Sequence, residues 1–133
     1  MSGEANLQIV RRYLRAVEQF ATGDELAVWF APDVVQQEFP NRIFAQGMSR
    51  GLAEILAGAE RGKQLLSSQR YDVQSALAEG DRVALEIVWT GVLAMPAAGL
   101  EAGAEMRAHL GVFIELENGK IKRQRNYDCY QPW

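Results

Sequence analysis

The chain has 133 residues, 48% of them hydrophobic and 23% charged, which is the composition of a globular fold and excludes a disordered, collagen-like or low-complexity chain. A formal net charge of −3 argues against a dedicated nucleic-acid binder, which carries a basic excess. A single cysteine, Cys129, and a single histidine, His109, leave no internal disulfide and no ordinary Cys/His zinc site.

A chain of this length is expected to form one domain spanning residues 1–133, with a core that needs no disulfide or structural metal. No apolar run approaches the length of a membrane span, and the start, MSGEANLQIVRR, lacks the hydrophobic stretch of a secretory signal. The expectation is therefore a soluble cytoplasmic protein without a membrane or nucleic-acid partner.

The first segment reads as an amphipathic helix. Val10, Tyr13, Leu14, Val17, Phe20 and Ala21 recur at three- and four-residue spacing, opposite Arg11, Arg12, Arg15, Glu18 and Gln19. Thr22-Gly23-Asp24 ends it and caps a short second helix from Glu25 to Phe30, which Ala31-Pro32-Asp33 stops. Val34 to Phe39 reads as a strand closed by Pro40. An irregular stretch runs to Gly51. Leu52, Ile55, Leu56 and Ala59 then mark a third helix to about Leu66.

The second half changes period. Arg70 to Ala78 is expected as a strand, and Glu79-Gly80-Asp81 as a hairpin turn. The β-branched and aromatic run from Arg82 to Leu93 is the most strand-like segment. Ala94 to Gly103, rich in alanine and glycine and carrying Pro96, reads as a loop suited to cover a cavity or meet a partner. From Ala104, alternation puts Met106, Ala108, Leu110, Val112, Ile114 and Leu116 on one face, with Glu105, Arg107, His109, Phe113 and Glu115 on the other. Asn118-Gly119 suits a type I′ turn before a last strand from Ile121 to Tyr130. Helices followed by consecutive strands predict an α+β fold: three N-terminal helices packed on a curved antiparallel sheet that leaves a pocket at its wide end.

This order of elements resembles the nuclear transport factor 2-like superfamily, and within it the SnoaL-like branch. The resemblance rests on Thr22-Gly23-Asp24, Phe30-Ala31-Pro32-Asp33, Glu38-Phe39-Pro40, Gly80-Asp81-Arg82-Val83, Trp89-Thr90-Gly91, Asn118-Gly119-Lys120-Ile121 and Arg125-Asn126-Tyr127-Asp128, and spans nearly the whole chain. It implies a cone-shaped, often homodimeric α+β fold with an apolar pocket. The family's activities include ketosteroid isomerase, polyketide cyclase and limonene epoxide hydrolase, beside non-enzymatic binding domains, so the fold alone does not name a reaction.

The isomerase's helical tyrosine, base and oxyanion acid fall at Ala16, Phe39 and Val112, which can neither abstract a proton nor hold an enolate. The epoxide hydrolase's charged pair falls at Ile87 and Trp89, its tyrosine and asparagine at Gln36 and Glu38, and its last-strand aspartate at Asn126, which is also where the cyclases place their acid or base. None of these sets transfers intact.

The residues themselves offer Glu38 as the first catalytic candidate. Beside Phe39 and Trp89, in apolar surroundings, its carboxyl would be poised for acid–base work; turned to solvent or toward an arginine it would be structural. Asn126, Asp128 and Tyr130 alternate onto one face of the last strand, so Asp128 could complete a split acid/base pair with Glu38 or pair with Arg125 or Arg107. Tyr13, Phe39, Trp89, Asn126 and Tyr130 are the expected substrate contacts. His109, Tyr127 and Cys129 are expected to point away. No cofactor and no metal is expected. The leading expectation is a cofactor-free isomerase, cyclase or dehydratase-like enzyme acting on an apolar carbonyl or hydroxyl compound. The alternative is a non-catalytic ligand-binding or accessory dimerisation domain.

Overall fold

The computed structural model describes all 133 residues. Its elements are α1 (Gly3–Glu18), α2 (Gly23–Ala27), β1 (Phe30–Glu38), β2 (Met48–Arg50), α3 (Leu52–Leu65), β3 (Leu66–Glu79), β4 (Arg82–Leu93), β5 (Glu105–Glu117) and β6 (Lys120–Tyr130). Three helices lie on one curved six-stranded sheet of order β2-β1-β6-β5-β4-β3.

The helix boundaries follow local chemistry. Ser2 Oγ accepts the Ala5 N–H at 3.1 Å, which satisfies one of the free amides at the start of α1. The end differs from expectation: α1 stops at Glu18, before Thr22-Gly23, and Phe20 takes the left-handed position at φ +61°. The Ala21 N–H then reaches Ala16 O at 3.0 Å and the Phe20 N–H reaches Val17 O at 2.9 Å, a paired closure that glycine usually provides. At α3, Glu54 Oε1 accepts the Gly51 N–H at 3.0 Å.

Three sequence-based boundaries are corrected. The second helix ends at Ala27 rather than Phe30; Phe30 opens β1, where burial places it in the core beside Tyr13, ring centroids 5.5 Å apart. The stretch before Gly51 contains the short strand β2, paired antiparallel to β1 through Gln36–Arg50 and Glu38–Met48. The strand expected from Arg70 starts at Leu66, directly after α3.

The sheet is also mixed rather than antiparallel throughout. β3, β4, β5 and β6 form an antiparallel meander, but β1 joins β6 in parallel, with Gln36 opposite Gln124 and Glu38 opposite Asn126. The chain reaches this arrangement because β1 precedes the meander and β6 ends it, so no hairpin connects them. Irregularities at Val73/Ser75 in β3 and between Phe30 and Val35 in β1 break the ladders, and such bulges increase strand bending.

The inner face of β4 and β5 forms the core. Val83, Leu85, Ile87, Met106, Ala108, Leu110, Val112, Ile114 and Leu116 are all buried, as their alternation predicts, against Val10, Leu14 and Leu26 of the helices. The helices do not cover this face completely, and the remaining concavity is the candidate site.

Candidate functional site

The concavity is a cavity of about 290 Å³. α1 contributes Tyr13, Leu14 and Val17; α2 and α3 contribute Leu26 and Ile55; β4 and β5 contribute Ile87, Trp89, Leu110 and Val112. The polar lining comes from β1, β2, β3 and β6: Gln36 and Glu38, Arg50, Gln69 and Tyr71, and Gln124, Asn126, Asp128 and Tyr130.

The two-residue period of β6 sets this polar wall. Gln124, Asn126, Asp128 and Tyr130 share the inner face, whereas Tyr127 and Cys129 are exposed on the outer one. The register places Asn126 between Glu38 of β1 and Val112 of β5, with Asp128 opposite Leu110 and Tyr130 opposite Ala108.

A directed hydrogen-bond chain orders the wall. The Tyr13 hydroxyl donates to Gln124 Oε1 at 3.1 Å, and Gln124 Nε2 donates to Asn126 Oδ1 at 3.0 Å. An amide oxygen that accepts from one side fixes its NH2 group on the other, so the Tyr13 proton orients both amides. The Asn126 NH2 group is left for Asp128 or a ligand. Burial pushes the Tyr13 phenol up to about 12, with the Gln124 bond pulling the other way, so it stays a neutral donor.

Asp128 is the group whose chemistry burial changes most usefully. Its Oδ1 is buried and has no hydrogen-bond partner in the protein. Loss of water, reinforced by the Glu38 charge and opposed by Asn126 and Arg50, raises its carboxyl to about 6. Tyr130 and Tyr71 are raised as well, above all by burial, and Asp128 and Glu38 add to the effect at both. These phenols are therefore neutral hydrogen-bond donors around a carboxyl that titrates near physiological pH.

Glu38 lines the cavity, as expected, but its surroundings are not apolar. Its Oε1 meets Arg50 Nη1 at 3.2 Å and its Oε2 accepts from Asn41 Nδ2 at 2.8 Å, with the side chains of Glu38 and Arg50 only 13% and 12% exposed. Both oxygens are occupied, which is the arrangement of a charge-holding group rather than of a free acid or base. Arg50 also contacts Gln36 Oε1 at 3.5 Å and lies over the Phe44 ring at 5.2 Å.

Phe39 is a correction. It follows the last ladder residue of β1 on the opposite side from Glu38, and its ring stacks on Tyr127 at 4.4 Å outside the cavity. Tyr13, Trp89, Asn126 and Tyr130 do line the cavity. Trp89 is held there: its Nε1 donates to Gln69 Oε1 at 3.1 Å, Gln69 Nε2 donates to Val17 O at 2.8 Å, and its ring lies so close over Gly91 that a Cβ there would meet it at 2.5 Å.

Gln36 shares the cavity face of β1 with Glu38, and Arg50, Gln69, Tyr71 and Gln124 are cavity residues that the sequence reading did not single out. Gln124 was within reach of the same alternation that selects Asn126 and Asp128. His109 is exposed on the outer face, as expected. No group of three or more His, Cys, Asp or Glu side chains is gathered as a metal site would require. No helix is long and apolar enough to cross a membrane.

Solved structures share this architecture. AclR, a proposed hydroxylase from Streptomyces galilaeus, is 20% identical with a TM-score of 0.78, over 96% of this chain and 76% of that one. IdmH, a proposed polyketide cyclase from Streptomyces antibioticus, is 18% identical with a TM-score of 0.75, over 92% and 91% of the two chains. A proposed polyketide cyclase from Xanthomonas campestris is 22% identical with a TM-score of 0.72, over 98% and 93%. These identities establish a common fold, not a common reaction. No curated protein matches the chain. Residues 10–124 match the SnoaL-like domain, and the chain belongs to that family.

Proposed function

We propose that the protein is a cofactor-free acid–base catalyst, an isomerase or cyclase acting on a small apolar compound that carries a carbonyl group, with Asp128 as the proton-transferring group. The observation that carries this reading is the buried, unpartnered Oδ1 of Asp128 on a cavity wall, in a carboxyl raised to about 6. A base of that kind is matched to neutral solution, ionised above its midpoint yet basic enough to take a proton from carbon.

In this reaction Asp128 Oδ1 removes a proton from the carbon next to the carbonyl, and the C–H electron pair moves onto the carbonyl oxygen as an enolate. The Tyr130 and Tyr71 hydroxyls are the neutral donors available to that oxygen. Where the substrate carries a C=C bond between its β- and γ-carbons, the enolate is conjugated with it, and return of the proton from Asp128 to the γ-carbon re-forms the carbonyl, moves the C=C bond to the α,β position and completes an isomerisation. Attack of the enolate carbon on a second carbonyl carbon forms a C–C bond and completes a cyclisation, with the Asp128 proton passing to the new alkoxide. Glu38, paired with Arg50, supplies a fixed charge that keeps the Asp128 carboxyl basic. Asn126, oriented through Gln124 and Tyr13, positions Asp128.

The test is solvent-deuterium uptake at the α-carbon of cyclic ketones such as 2-tetralone, followed by proton NMR. Wild-type protein should catalyse uptake with a rate that rises through pH 6 and then levels. Asp128→Asn should lower it about 100-fold or more. Wild-type exchange in Asp128→Asn would remove Asp128 from the reaction.

A further inference from the structure

We infer that the cavity selects its ligand by charge, taking an ammonium-bearing compound and turning away carboxylates and phosphates. The inference rests on the reading above only in using the same cavity.

The charged groups of the cavity decide this. β1 brings Glu38, β2 brings Arg50 and β6 brings Asp128. α1, β3 and β6 add the neutral phenols Tyr13, Tyr71 and Tyr130, while α2, α3, β4 and β5 bring no titratable side chain. The cavity thus holds two carboxyls and one guanidinium. Glu38 offsets the charge of that guanidinium: Arg50 Nη1 is on Glu38 at 3.2 Å and near Gln36 at 3.5 Å, with the group over the Phe44 ring. An incoming anion would meet the Glu38 and Asp128 carboxyls beside a guanidinium whose charge Glu38 already offsets, an arrangement that electrostatic complementarity disfavours.

A cation meets the opposite conditions. Asp128 Oδ1 is a buried acceptor with no donor, and an N⁺–H group supplies one. Trp89 and Tyr130, edge to face with centroids 6.3 Å apart, present aromatic surface to the same space, and ring faces attract ammonium groups. Because the Asp128 carboxyl titrates near 6, the selection should strengthen from pH 5 to pH 7 and then level.

Calorimetric titration of the full chain at pH 8 with three ligands of similar shape, 2-phenylethylammonium, 2-phenylethanol and phenylacetate, tests this. The amine should bind about tenfold more tightly than the alcohol, and phenylacetate about tenfold more weakly. At pH 5, and in Asp128→Asn at pH 8, the amine's advantage should fall to about twofold or less while the alcohol's affinity stays close to wild type. Phenylacetate binding as tightly as the amine, no binding of the amine, or a full amine preference in Asp128→Asn would each overturn the inference. The two readings fail separately. Asp128→Asn that loses deuterium uptake but keeps the amine preference overturns charge selection alone, and the reverse result overturns the catalytic role alone.

Discussion

The wall that β4 and β5 give to the cavity and the wall that β1 and β6 give to it belong to one sheet, yet they were built under different constraints. Ile87, Leu110 and Val112 are apolar, 0–6% exposed and continuous with the core, so each is fixed by packing. Gln36, Glu38, Asn126, Asp128 and Tyr130 face the same space with polar groups that burial penalises unless they find partners. Most do, through the Tyr13–Gln124–Asn126 chain and the Glu38–Arg50 pair; Asp128 Oδ1 does not. The contrast teaches that one wall is optimised for stability and the other tolerates a destabilising group, a pattern expected where function demands it.

Substitutions can break or sharpen that contrast. Ile87→Ala, at a fully buried position, should cost about 2–5 kcal/mol in chemical denaturation; a loss below about 1 kcal/mol would show that the apolar wall is not packed as described. Asp128→Asn should act in the opposite direction. Its carboxyl lies at 3.8 before burial and about 6 in the fold, so the folded state holds the extra proton between those values. The stability tied to the protonated form is therefore complete below about pH 4 and lost as the pH rises through about 6. At pH 8 the asparagine variant should be more stable than wild type by roughly 2–3 kcal/mol, with little difference at pH 4, as read from paired denaturation curves.

Tyr13→Phe should cost about 1–3 kcal/mol, because it leaves Gln124 Oε1 buried without its donor. It should also disorder the amide orientation of Asn126, visible as altered side-chain NH2 shifts by NMR. Phe39→Ala should have the smallest effect, about 0.5–1.5 kcal/mol from loss of the outer stack on Tyr127, and should leave ligand affinity unchanged. A changed affinity would return Phe39 to the cavity side.

The apolar wall was legible because strict alternation over Met106 to Leu116 has only one face to bury. The same rule places Asn126, Asp128 and Tyr130 together, and it would have added Gln124 and removed Phe39, since neighbours on a strand cannot share a face with Glu38. Arg50 was hidden for a different reason: it sits on a three-residue strand, too short to carry a period, and meets Glu38 only through the fold. Tyr71 and Gln69 lie on β3, whose ladder is interrupted at Val73/Ser75, so its faces do not follow a single alternation. The parallel partnership of β1 escaped because consecutive strands suggest hairpins, and nothing local marks a strand that waits for the last segment of the chain.

That partnership governs the order in which the protein can assemble. The meander from β3 to β6 joins strands adjacent in sequence, whereas Glu38 meets Asn126 across most of the polypeptide. Closing so wide a loop is entropically slow, so the topology predicts that β1, and with it β2 and Arg50, docks after the meander has formed. On the ribosome β1 emerges long before β6 exists, and the edge it will offer to β6 stays open to mispairing until the last strand has been made.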